Sequence, residues 1–402
     1  MSREAYWIWL QKGIDFGKNT SRVLSEIDDV VEFYEKGAEY WLSSGLFDHR
    51  QHDRLCAYDI ENAEKIVALC KENGWGITTP ESDKFPEQLR QINNCPLVLY
   101  YEGDIGIFKN RLSLSFVGSR TATTNGIDIT SRLAAALAKA NIVIVSGGAM
   151  GIDAAAHEGA LAVKGKTALL VPCGLGVNYL NSNKELRRKV AKSGVLITEY
   201  PPNHPVFREN FSVRNRIISA LSEGTAVVEP AAKSGSMLTV NHAFRQGKEV
   251  FIIPGNLLES DQAVLSELLS KGAKVVFSPS DFTAPFLDRY SDVIDTKKLD
   301  NNISAPVINP LDVPTKKTFL SKLLPDKKKE ETVVRESATN HDINSLSAEE
   351  KAVYDFVADG AKATDEIIEA TDMTLPQLSP ILLRLQLIGV ISKTTDNKYK
   401  LK

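Results

Sequence analysis

The sequence predicts an α/β protein whose strands form a largely parallel sheet. Residues 112–161 contain two successive units in which an apolar strand ends in a glycine-bearing loop and a helix follows. The same alternation of strands and helical stretches continues to residue 253. Apolar strands that alternate with helices are buried on both faces, and their carboxyl ends meet at one edge of the sheet. We therefore expect one crevice, lined by the strand-end loops, to carry the function.

The elements follow one another along the chain. The first unit has a strand at 112–117, the loop GSRT and a helix to about residue 140; the second has a strand at 142–146, the loop GGAM and a helix from about residue 152. Further strands are predicted at 167–172, 195–199, 225–229 and 249–253, with helices at 183–192, 213–221 and 238–246. Residues 85–89 and 94–103 combine prolines with apolar runs, which predicts extended segments at a sheet edge.

Three segments flank this sheet domain, which is predicted to span residues 81–290. Residues 1–80 are predicted to form a small helical domain, with helices at 4–11, 20–27, 30–36, 38–43 and 61–73. Residues 291–345 are polar and rich in Asn, Pro and Lys, which predicts a mobile linker. Residues 346–402 form a compact unit with helices at 348–358, 364–370 and 375–387 and a hairpin at 390–401 that turns at Asp396-Asn397.

Composition limits the class of protein. The chain has 402 residues, 43% hydrophobic and 25% charged, as in globular proteins of two or three domains. It shows neither a signal-peptide pattern nor an apolar run of membrane-spanning length, so no membrane partner is expected. Its four cysteines are scattered, which favours a reducing cytoplasm over a disulfide framework or a metal site.

The net charge of −3 is unevenly distributed. Residues 1–110 carry −7, residues 111–290 carry +6 and residues 291–402 carry −2. Only the middle segment is basic, and its arginines fall near the strand-end loops, where they attract a polyanion. A solvated basic surface without a ligand is the simpler alternative.

The first two strand-end loops have the composition of a phosphate site. Gly118, Gly147 and Gly148 allow tight turns, and the free N–H groups of the following helices favour an anion. Arg120, after Ser119, adds a cation suited to phosphate. Ordinary strand-to-helix turns are the alternative. Because neither G-x-G-x-x-G nor G-K-[ST] is present, we expect a phosphate-rich ligand rather than a bound dinucleotide or triphosphate, and we predict no cofactor.

The helix predicted to begin after Ser212 carries Arg214 and Arg216 in its first turn. Cations there oppose the helix dipole unless an anion binds or a carboxylate pairs with them. For Arg216, an internal ion pair with Glu199 or Glu229 is the alternative to a ligand contact.

Arg208 and Phe211 precede that helix and have complementary chemistry. A cation beside an aromatic ring can hold a phosphate while a base stacks on the ring. This combination is typical of proteins that bind single-stranded nucleic acid with little sequence preference. The residues therefore favour a single-stranded nucleic acid as ligand.

Asp153 and His157 lie four residues apart on one helix and share a face, which allows an acid–base pair. A capping carboxylate and a locally bonded histidine are the more common arrangement. His49, His52 and Cys56 lie in a polar segment that lacks a fourth metal ligand. We predict neither a catalytic residue nor a metal site.

Five separated blocks lie in order between residues 85 and 255: FPEQL, FVGSRTATTNG, VSGGAMGIDAAAHEGAL, FSVRNRIISALS and VVEPAAKSGSMLTVNHAFRQGKEVFIIPG. Together they resemble the DNA-processing protein A family, also called DprA or Smf. The resemblance implies an extended Rossmann-like domain that binds single-stranded DNA and delivers it to the RecA recombinase, chiefly during natural transformation. It also implies a homodimer that acts as a mediator and not as an enzyme.

The resemblance also implies which residues form the DNA pocket. They are Gly118, Ser119, Arg120, Gly147, Gly148, Arg208, Phe211, Arg214, Asn215 and Arg216. Gly148 departs from the family pattern, because many members have leucine there, and we expect this departure to loosen the loop.

Both ends of the chain resemble further domains of the same family. The N-terminal helices are similar to its small helical domain, and residues 346–402 resemble its winged-helix domain. A winged helix normally reads DNA with its third helix, but here that helix offers only Arg384, and the unit has seven basic against nine acidic residues. We expect a protein-contact role for it.

Two other classes of function were weighed. The lysine-decarboxylase-like phosphoribohydrolases have a similar sheet but need a P-G-G-x-G-T-x-x-E loop, where this sequence has KSGSMLT without the glutamate. A winged-helix transcription regulator needs a basic third helix. The sequence thus favours a single-strand-binding recombination mediator, with the phosphoribohydrolase as the alternative.

Overall fold

The computed structural model describes residues 1–179, 181–231, 234–253, 262–299, 303, 307–315, 346–371, 373, 375–387, 390–394 and 398–401. The chain divides into two compact units, Met1–Asp326 and Lys327–Lys402. Each unit has its own apolar core. None of the helices in these ranges combines the length and the apolar character that a membrane-spanning segment requires.

The first unit begins with six helices: α1 (Arg3–Ile14), α2 (Ser21–Glu26), α3 (Val30–Glu35), α4 (Gly37–Ser43), α5 (His49–Ala57) and α6 (Ile60–Glu72). Their core, which contains Trp9 and Trp41, is continuous with one layer of the core of the sheet. The sequence did not predict α5, because that segment is strongly polar. A capping box between Asp48 and Gln51 nevertheless stabilises its first turn.

A nine-stranded sheet follows in the described part of this unit. Its strands are β1 (Gly76–Thr78), β2 (Leu99–Gly103), β3 (Ser113–Gly118), β4 (Val143–Ser146), β5 (Thr167–Leu170), β6 (Val195–Thr198), β7 (Gly224–Val228), β8 (Glu249–Ile253) and β9 (Lys274–Val275). Their order is β1-β2-β6-β5-β4-β3-β7-β8-β9, and every neighbouring pair from β6 to β9 is parallel. β1 and β2 pair antiparallel at one edge, so the extended segment predicted at 94–103 is confirmed for Leu99–Gly103. The extended segment predicted at 85–89 is wrong, because Glu87–Arg90 form a short helix.

Helices cover both faces of the sheet. They are α7 (Glu87–Arg90), α8 (Thr124–Lys139), α9 (Ile152–Ala162), α10 (Lys184–Ser193), α11 (Arg208–Ala220), α12 (Gly235–Arg245), α13 (Gln262–Ser270), α14 (Pro279–Thr283) and α15 (Leu287–Tyr290), with 3₁₀ turns at Ile105–Phe108, Asn181–Asn183, Ala284–Phe286, Thr296–Lys298 and Pro310–Asp312. On β4, Ile144 belongs to the core layer of α8 and α9, whereas Val143 and Val145 belong to the layer of α11 and α12. This alternation confirms a sheet buried on both faces.

The sheet has a topological switch point at β3. The strands β4, β5 and β6 lie on one side of β3, and β7, β8 and β9 lie on the other. Where the strand order reverses in a doubly wound sheet, the loops at the carboxyl ends diverge to opposite faces and leave a crevice. The predicted parallel α/β fold is confirmed, and its crevice opens beside Gly118 at the end of β3.

The segment predicted as a linker packs against this unit as far as residue 315. Ile294 and Val313 are buried in the core. Asp295 donates its N–H to Ala140, and Pro314 accepts the N–H of Gly151 at 2.9 Å. The linker prediction is wrong here because a few apolar residues, spaced among many polar ones, hold the segment in place. Residues 316–345, with the lysine cluster 327–329, lie outside the described residues.

The second unit contains α16 (Ala348–Ala358), α17 (Thr364–Thr371), α18 (Leu375–Leu387) and a hairpin of β10 (Ile391–Lys393) with β11 (Tyr399–Leu401). This order confirms the predicted three helices and hairpin. The predicted turn at residues 396–397 lies outside the described residues. Arg384, the cation of the third helix, pairs with the buried Glu350 of α16 at 2.8 Å.

Candidate nucleic-acid interface

The loop after β3 forms one wall of the crevice. A Cβ on Gly118 would collide with the carbonyl of Val228 on the adjacent β7, so only glycine fits there. Ser119 accepts the N–H of Thr121 through its hydroxyl at 3.1 Å, which closes a tight turn. The turn leaves the next residue, Arg120, exposed at the rim.

Arg120 lies against an aromatic ring from α11. Its guanidinium carbon is 5.5 Å from the centre of the Phe211 ring, which is within cation–π range. Among the described residues, Arg120 forms no ion pair with a carboxylate. Tyr179 also contacts Phe211, in an edge-on arrangement with the ring centres 5.9 Å apart. An exposed cation and a half-buried ring are thus held together at the mouth of the crevice.

The helix that carries Phe211 begins at Arg208, five residues before the predicted start at residue 213. The residue before it, Phe207, has no side chain that can cap a helix, so the sequence offered no start signal there. The side-chain amide of Asn210 instead donates to the carbonyl of Pro172 at 2.9 Å and ties the first turn to the loop after β5.

This earlier start changes the roles of the arginines. Arg208 occupies the first turn of α11 and is exposed, whereas Arg214 and Arg216 lie deeper in the helix and are buried. The prediction that Arg214 and Arg216 oppose the helix dipole in the first turn is therefore wrong. An anion bound near this helix N-terminus would meet Arg208.

Arg214 holds the loop after β4 in place through hydrogen bonds from the protein interior. It is 6% exposed, and its Nη1 donates to the carbonyl of Gly147 at 2.8 Å and to that of Leu170. A Cβ on Gly147 would lie 2.6 Å from this guanidinium, so the loop needs glycine to accept its support. Burial lowers the pKa of Arg214, and the nearby Asp153 opposes that shift. Its contacts make it a positioning residue for the loop.

Asn215 continues this internal network. Its side-chain oxygen accepts the Nε–H of Arg214 at 3.0 Å, and its amide nitrogen donates to the carbonyl of Gly235 at 3.2 Å. The residue is 7% exposed. Asn215 therefore links the loop after β4 to the start of α12.

The N–H groups of the loop after β4 donate to a carboxylate of the protein itself. The carboxylate of Asp153 accepts the N–H groups of Gly147 and Ala149 at 3.2 and 3.3 Å. These two donors are consequently engaged within the protein and are not free to bind a phosphate in this geometry. Burial raises the pKa of Asp153, while Arg214 favours its ionised form.

Gly148 holds a backbone conformation that favours glycine, with φ of +65°. A Cβ there would also lie 2.7 Å from the side chain of Leu169. The carbonyl of Gly148 accepts the side-chain amide of Asn183, a buried residue, at 2.9 Å. The predicted loosening of this loop does not fit these contacts, which fix the backbone around the glycine.

Arg216 lies in the interior and pairs with Glu199. Its Nη2 lies 2.5 and 2.7 Å from the two carboxylate oxygens, and the two side chains are 2% and 3% exposed. The internal ion pair left open by the sequence is thus present. A contact of Arg216 with DNA stays a prediction, which this buried geometry does not favour. Glu229, the other partner considered, instead accepts the N–H of Thr123 at 3.0 Å.

The pair Asp153 and His157 does not form an acid–base site. The Nδ1 of His157 lies 2.7 Å from the hydroxyl of Thr167, which itself donates to the carbonyl of Ile144. Burial lowers the pKa of His157 to about 3, so the ring is neutral at physiological pH. Within the described ranges no three His, Cys, Asp or Glu side chains converge on a metal position.

Sequence reasoning missed two aromatic residues near the predicted site, Tyr179 and Phe207. Tyr179 follows a glycine-containing loop and packs on Phe211, but nothing in its local pattern marks it. Phe207 is 50% exposed beside Arg208. A phenylalanine next to an arginine in the sequence was the pattern that could have identified Phe207 as a candidate binding residue. Of the predicted residues, Gly118, Ser119, Arg120, Arg208 and Phe211 are exposed or half-buried, whereas Gly147, Gly148, Arg214, Asn215 and Arg216 are buried.

These features define a Rossmann-like α/β protein with a cationic and aromatic crevice at its switch point. The family model described as DNA recombination-mediator protein A matches residues 76–286, and the model of the DprA winged helix domain matches residues 337–397. The chain belongs to the DNA recombination-mediator protein A family. The resemblance predicted from the sequence motifs is confirmed.

Individual relatives agree with this assignment. The chain is 34% identical to DNA processing protein DprA of Bacillus subtilis over 217 residues, which cover 54% of this chain and 73% of that protein. It is 29% identical to Protein Smf of Synechocystis over 411 residues, or 99% of each chain. The crystal structure of DprA from Streptococcus pneumoniae superposes with a TM-score of 0.60 at 29% identity and covers 70% of this chain and 97% of that one.

Proposed function

We propose that this protein binds single-stranded DNA in the crevice and delivers the strand to the RecA recombinase, as a mediator and not as an enzyme. The observation that carries the proposal is the contact of Arg120 with Phe211. Together they offer a cation for a phosphate and a ring face for a base. These are the two elements that single-strand binders combine.

The charges around the opening support a polyanion as ligand. Arg120 and Arg208 are exposed and form no ion pair in the described part of the chain, so both are available to phosphates. Residues 111–290 carry a net charge of +6, which raises the local concentration of a nucleic acid. Each phosphate contact releases counterions and makes the affinity depend on salt.

The position of Phe211 favours a single strand over a duplex. The ring is half-buried and contacts both Arg120 and Tyr179. A base can reach it only if the base is unstacked and turned into the crevice. In a duplex the base faces are covered by their neighbours, and unstacking them requires a few kcal/mol. A flexible single strand meets this requirement at a lower energetic cost.

The partners and location follow from the same proposal. A recombination mediator must hand its strand to a recombinase, and we infer that RecA fills this role, in the cytoplasm and with the protein acting as a homodimer. The family description as a recombination mediator supports this step. We further propose that residues 81–290 bind the strand while the N-terminal helices and the winged helix serve other contacts.

The phosphoribohydrolase alternative gains no support from the crevice. The neutral, buried His157 and the internally bonded Asp153 are poor candidates for proton transfer. The loop that begins at Ser234 lacks the required glutamate. Lys233, just before it, lies outside the described residues.

A binding titration tests the proposal. Single-stranded and duplex oligonucleotides of one mixed sequence are titrated with the full chain at several salt concentrations. We expect preference for the single strand and a logarithm of affinity that falls linearly with the logarithm of salt. Equal affinity for the two forms, or indifference to salt, would contradict the proposal. RecA filament formation on DNA coated with single-strand-binding protein then tests the mediator step separately.

A further inference from the structure

A second cavity lies next to the crevice, and Tyr179, which contacts Phe211, is part of its lining. It encloses about 760 Å³ between α10, the loop after β5 and the β2 edge of the sheet. Its lining is mainly apolar, from residues such as Val171, Leu175 and Val177, with the indole of Trp75 in the wall. A cavity of this size and character suits a small organic group with one flat apolar part.

One cation in this cavity combines partial burial with the lack of a partner among the described residues. Arg187 of α10 is half-buried and forms neither a hydrogen bond nor an ion pair with any described residue. Burial lowers its pKa. A partly desolvated guanidinium without an acceptor is unfavourable, so an anion that enters the cavity would gain a strong interaction.

The other charges of the lining nearly cancel. Arg188 pairs with Glu185 at 2.5 Å on the rim, which neutralises both. This leaves Lys184 and Arg187 as cations against the carboxylate of Glu102. The lining is therefore cationic by about one charge, which suits a single phosphate.

Tyr179 connects this cavity to the crevice. Its ring contacts that of Phe211, and the residue lines the cavity together with Arg187. A strand whose base stacks on Phe211 therefore has the next opening directly beyond Tyr179. We propose that the cavity is a second nucleotide subsite, in which Arg187 binds the phosphate and Trp75 contacts the base of a neighbouring nucleotide of the same strand. This inference rests on the proposed single-strand function.

The test uses oligothymidylates of increasing length with the full chain. The variant Arg187→Gln removes the cation, and Lys192→Gln, which removes an exposed cation of the same helix outside the cavity, is its matched control. We expect the wild type and Lys192→Gln to show a step in affinity when the oligonucleotide becomes long enough to reach the cavity. In Arg187→Gln this step should be absent, and the salt slope for long strands should fall by about 0.7.

Trp75 supplies an independent readout. A base that contacts the indole should quench its fluorescence, and this quenching should vanish in Trp75→Phe. Replacing the ring by Trp75→Leu should weaken binding of the long strand about tenfold, while its salt slope stays unchanged.

The outcomes separate the two proposals. If the wild type binds single strands but Arg187→Gln matches Lys192→Gln at every length, the subsite is wrong and the crevice stands. If the wild type does not prefer single strands at all, the proposed function fails, and the subsite fails with it. If thymidine monophosphate alone quenches Trp75 and no length step exists, the cavity binds a free nucleotide, which overturns its place on a strand.

Discussion

Arg216 and Glu199 form a buried ion pair that joins α11 to the end of β6, with Nη2 at 2.5 and 2.7 Å from the carboxylate oxygens. The pair positions the helix that carries Phe211, although neither side chain reaches the crevice. Burial raises the pKa of Glu199, so its charge depends on the guanidinium beside it. The two residues thus affect the site indirectly, by holding α11 in position.

Breaking this pair should destabilise the protein strongly. Arg216→Met leaves the Glu199 carboxylate buried without a cation, for which we expect a loss of about 3–5 kcal/mol in the free energy of unfolding. The double variant Arg216→Met/Glu199→Leu should recover most of that loss. Denaturant unfolding measures both. A single variant as stable as the wild type would contradict the internal role of the pair.

Arg120 and Phe211 should contribute to strand binding through different physics. Arg120→Ala removes a phosphate contact, so the salt slope should fall by about 0.7. Phe211→Ala removes a stacking ring, so the affinity should fall by about 1–3 kcal/mol with little change in slope. Titrations at several salt concentrations separate the two effects. Arg120 is not a ligand if its variant keeps the wild-type slope.

Arg214 should behave as a positioning residue for the loop after β4. Gly147→Ala places a methyl group 2.6 Å from the guanidinium, which forces the loop or the arginine to move. We expect weaker strand binding with an unchanged salt slope, because no phosphate contact is lost. Arg214→Lys, which cannot reproduce the bonds to both carbonyls, should give the same pattern. A reduced salt slope in either variant would instead place Arg214 in contact with the strand.

The described fold of the first unit extends to residue 315. Truncations on either side of residues 292–315 should therefore separate the contribution of this segment to stability from any contribution of the following residues to strand binding. A chain that ends at residue 315 keeps Val313 and the bond from Gly151 to Pro314, and should retain its single-strand affinity. A chain that ends at residue 291 loses Ile294 and Val313 from the core and should be less stable by a few kcal/mol, at about 1.5–3 kcal/mol per buried side chain. Thermal unfolding and strand titration of both chains check this. A tenfold loss of affinity in the longer chain would show that residues 316–402 bind DNA directly.

Acid should weaken the fold through His157. Its pKa is about 3 in the folded protein and 6.5 when unperturbed, so the unfolded state binds the extra proton. Stability is therefore fully present above about pH 6.5 and falls as the pH drops towards 3. Between about pH 7 and 5 we expect a loss of about 2 kcal/mol, which His157→Gln should largely remove. Denaturant titrations at the two pH values measure the difference.

Apolar runs were sufficient to predict the six strands from β3 to β8, because a parallel sheet leaves few other places for them. The short strands β1 and β9 lack such a run and were not predicted. The start of α11 was not predictable, since Phe207 gives no cap and the bond from Asn210 to Pro172 spans 38 residues. The partner of Arg216 was narrowed to two carboxylates, but only the folded chain distinguishes Glu199 from Glu229. Long-range contacts of this kind leave no local signal.

Only part of the predicted site was placed correctly from the sequence, because the rest depends on long-range contacts. Arg120 and Phe211 were identified by type and position, and they do lie together at the opening. Arg214, with the same composition signal as Arg120, lies beneath the loop, because burial depends on the packing of α11 against β5. Tyr179 was missed, since its contact with Phe211 exists only after two loops have come together.

The carboxylate of Asp153, which holds the N–H groups of Gly147 and Ala149, fixes the loop after β4 before any ligand arrives. A loop that is ordered in advance loses little conformational freedom on association, so the encounter need not wait for it to fold. The association rate of a strand should then be set by diffusion and by charge attraction at the rim, and not by a slow rearrangement of the loop. This rate should therefore depend strongly on ionic strength. The same internal anion would make the loop geometry alike in the free and the bound protein.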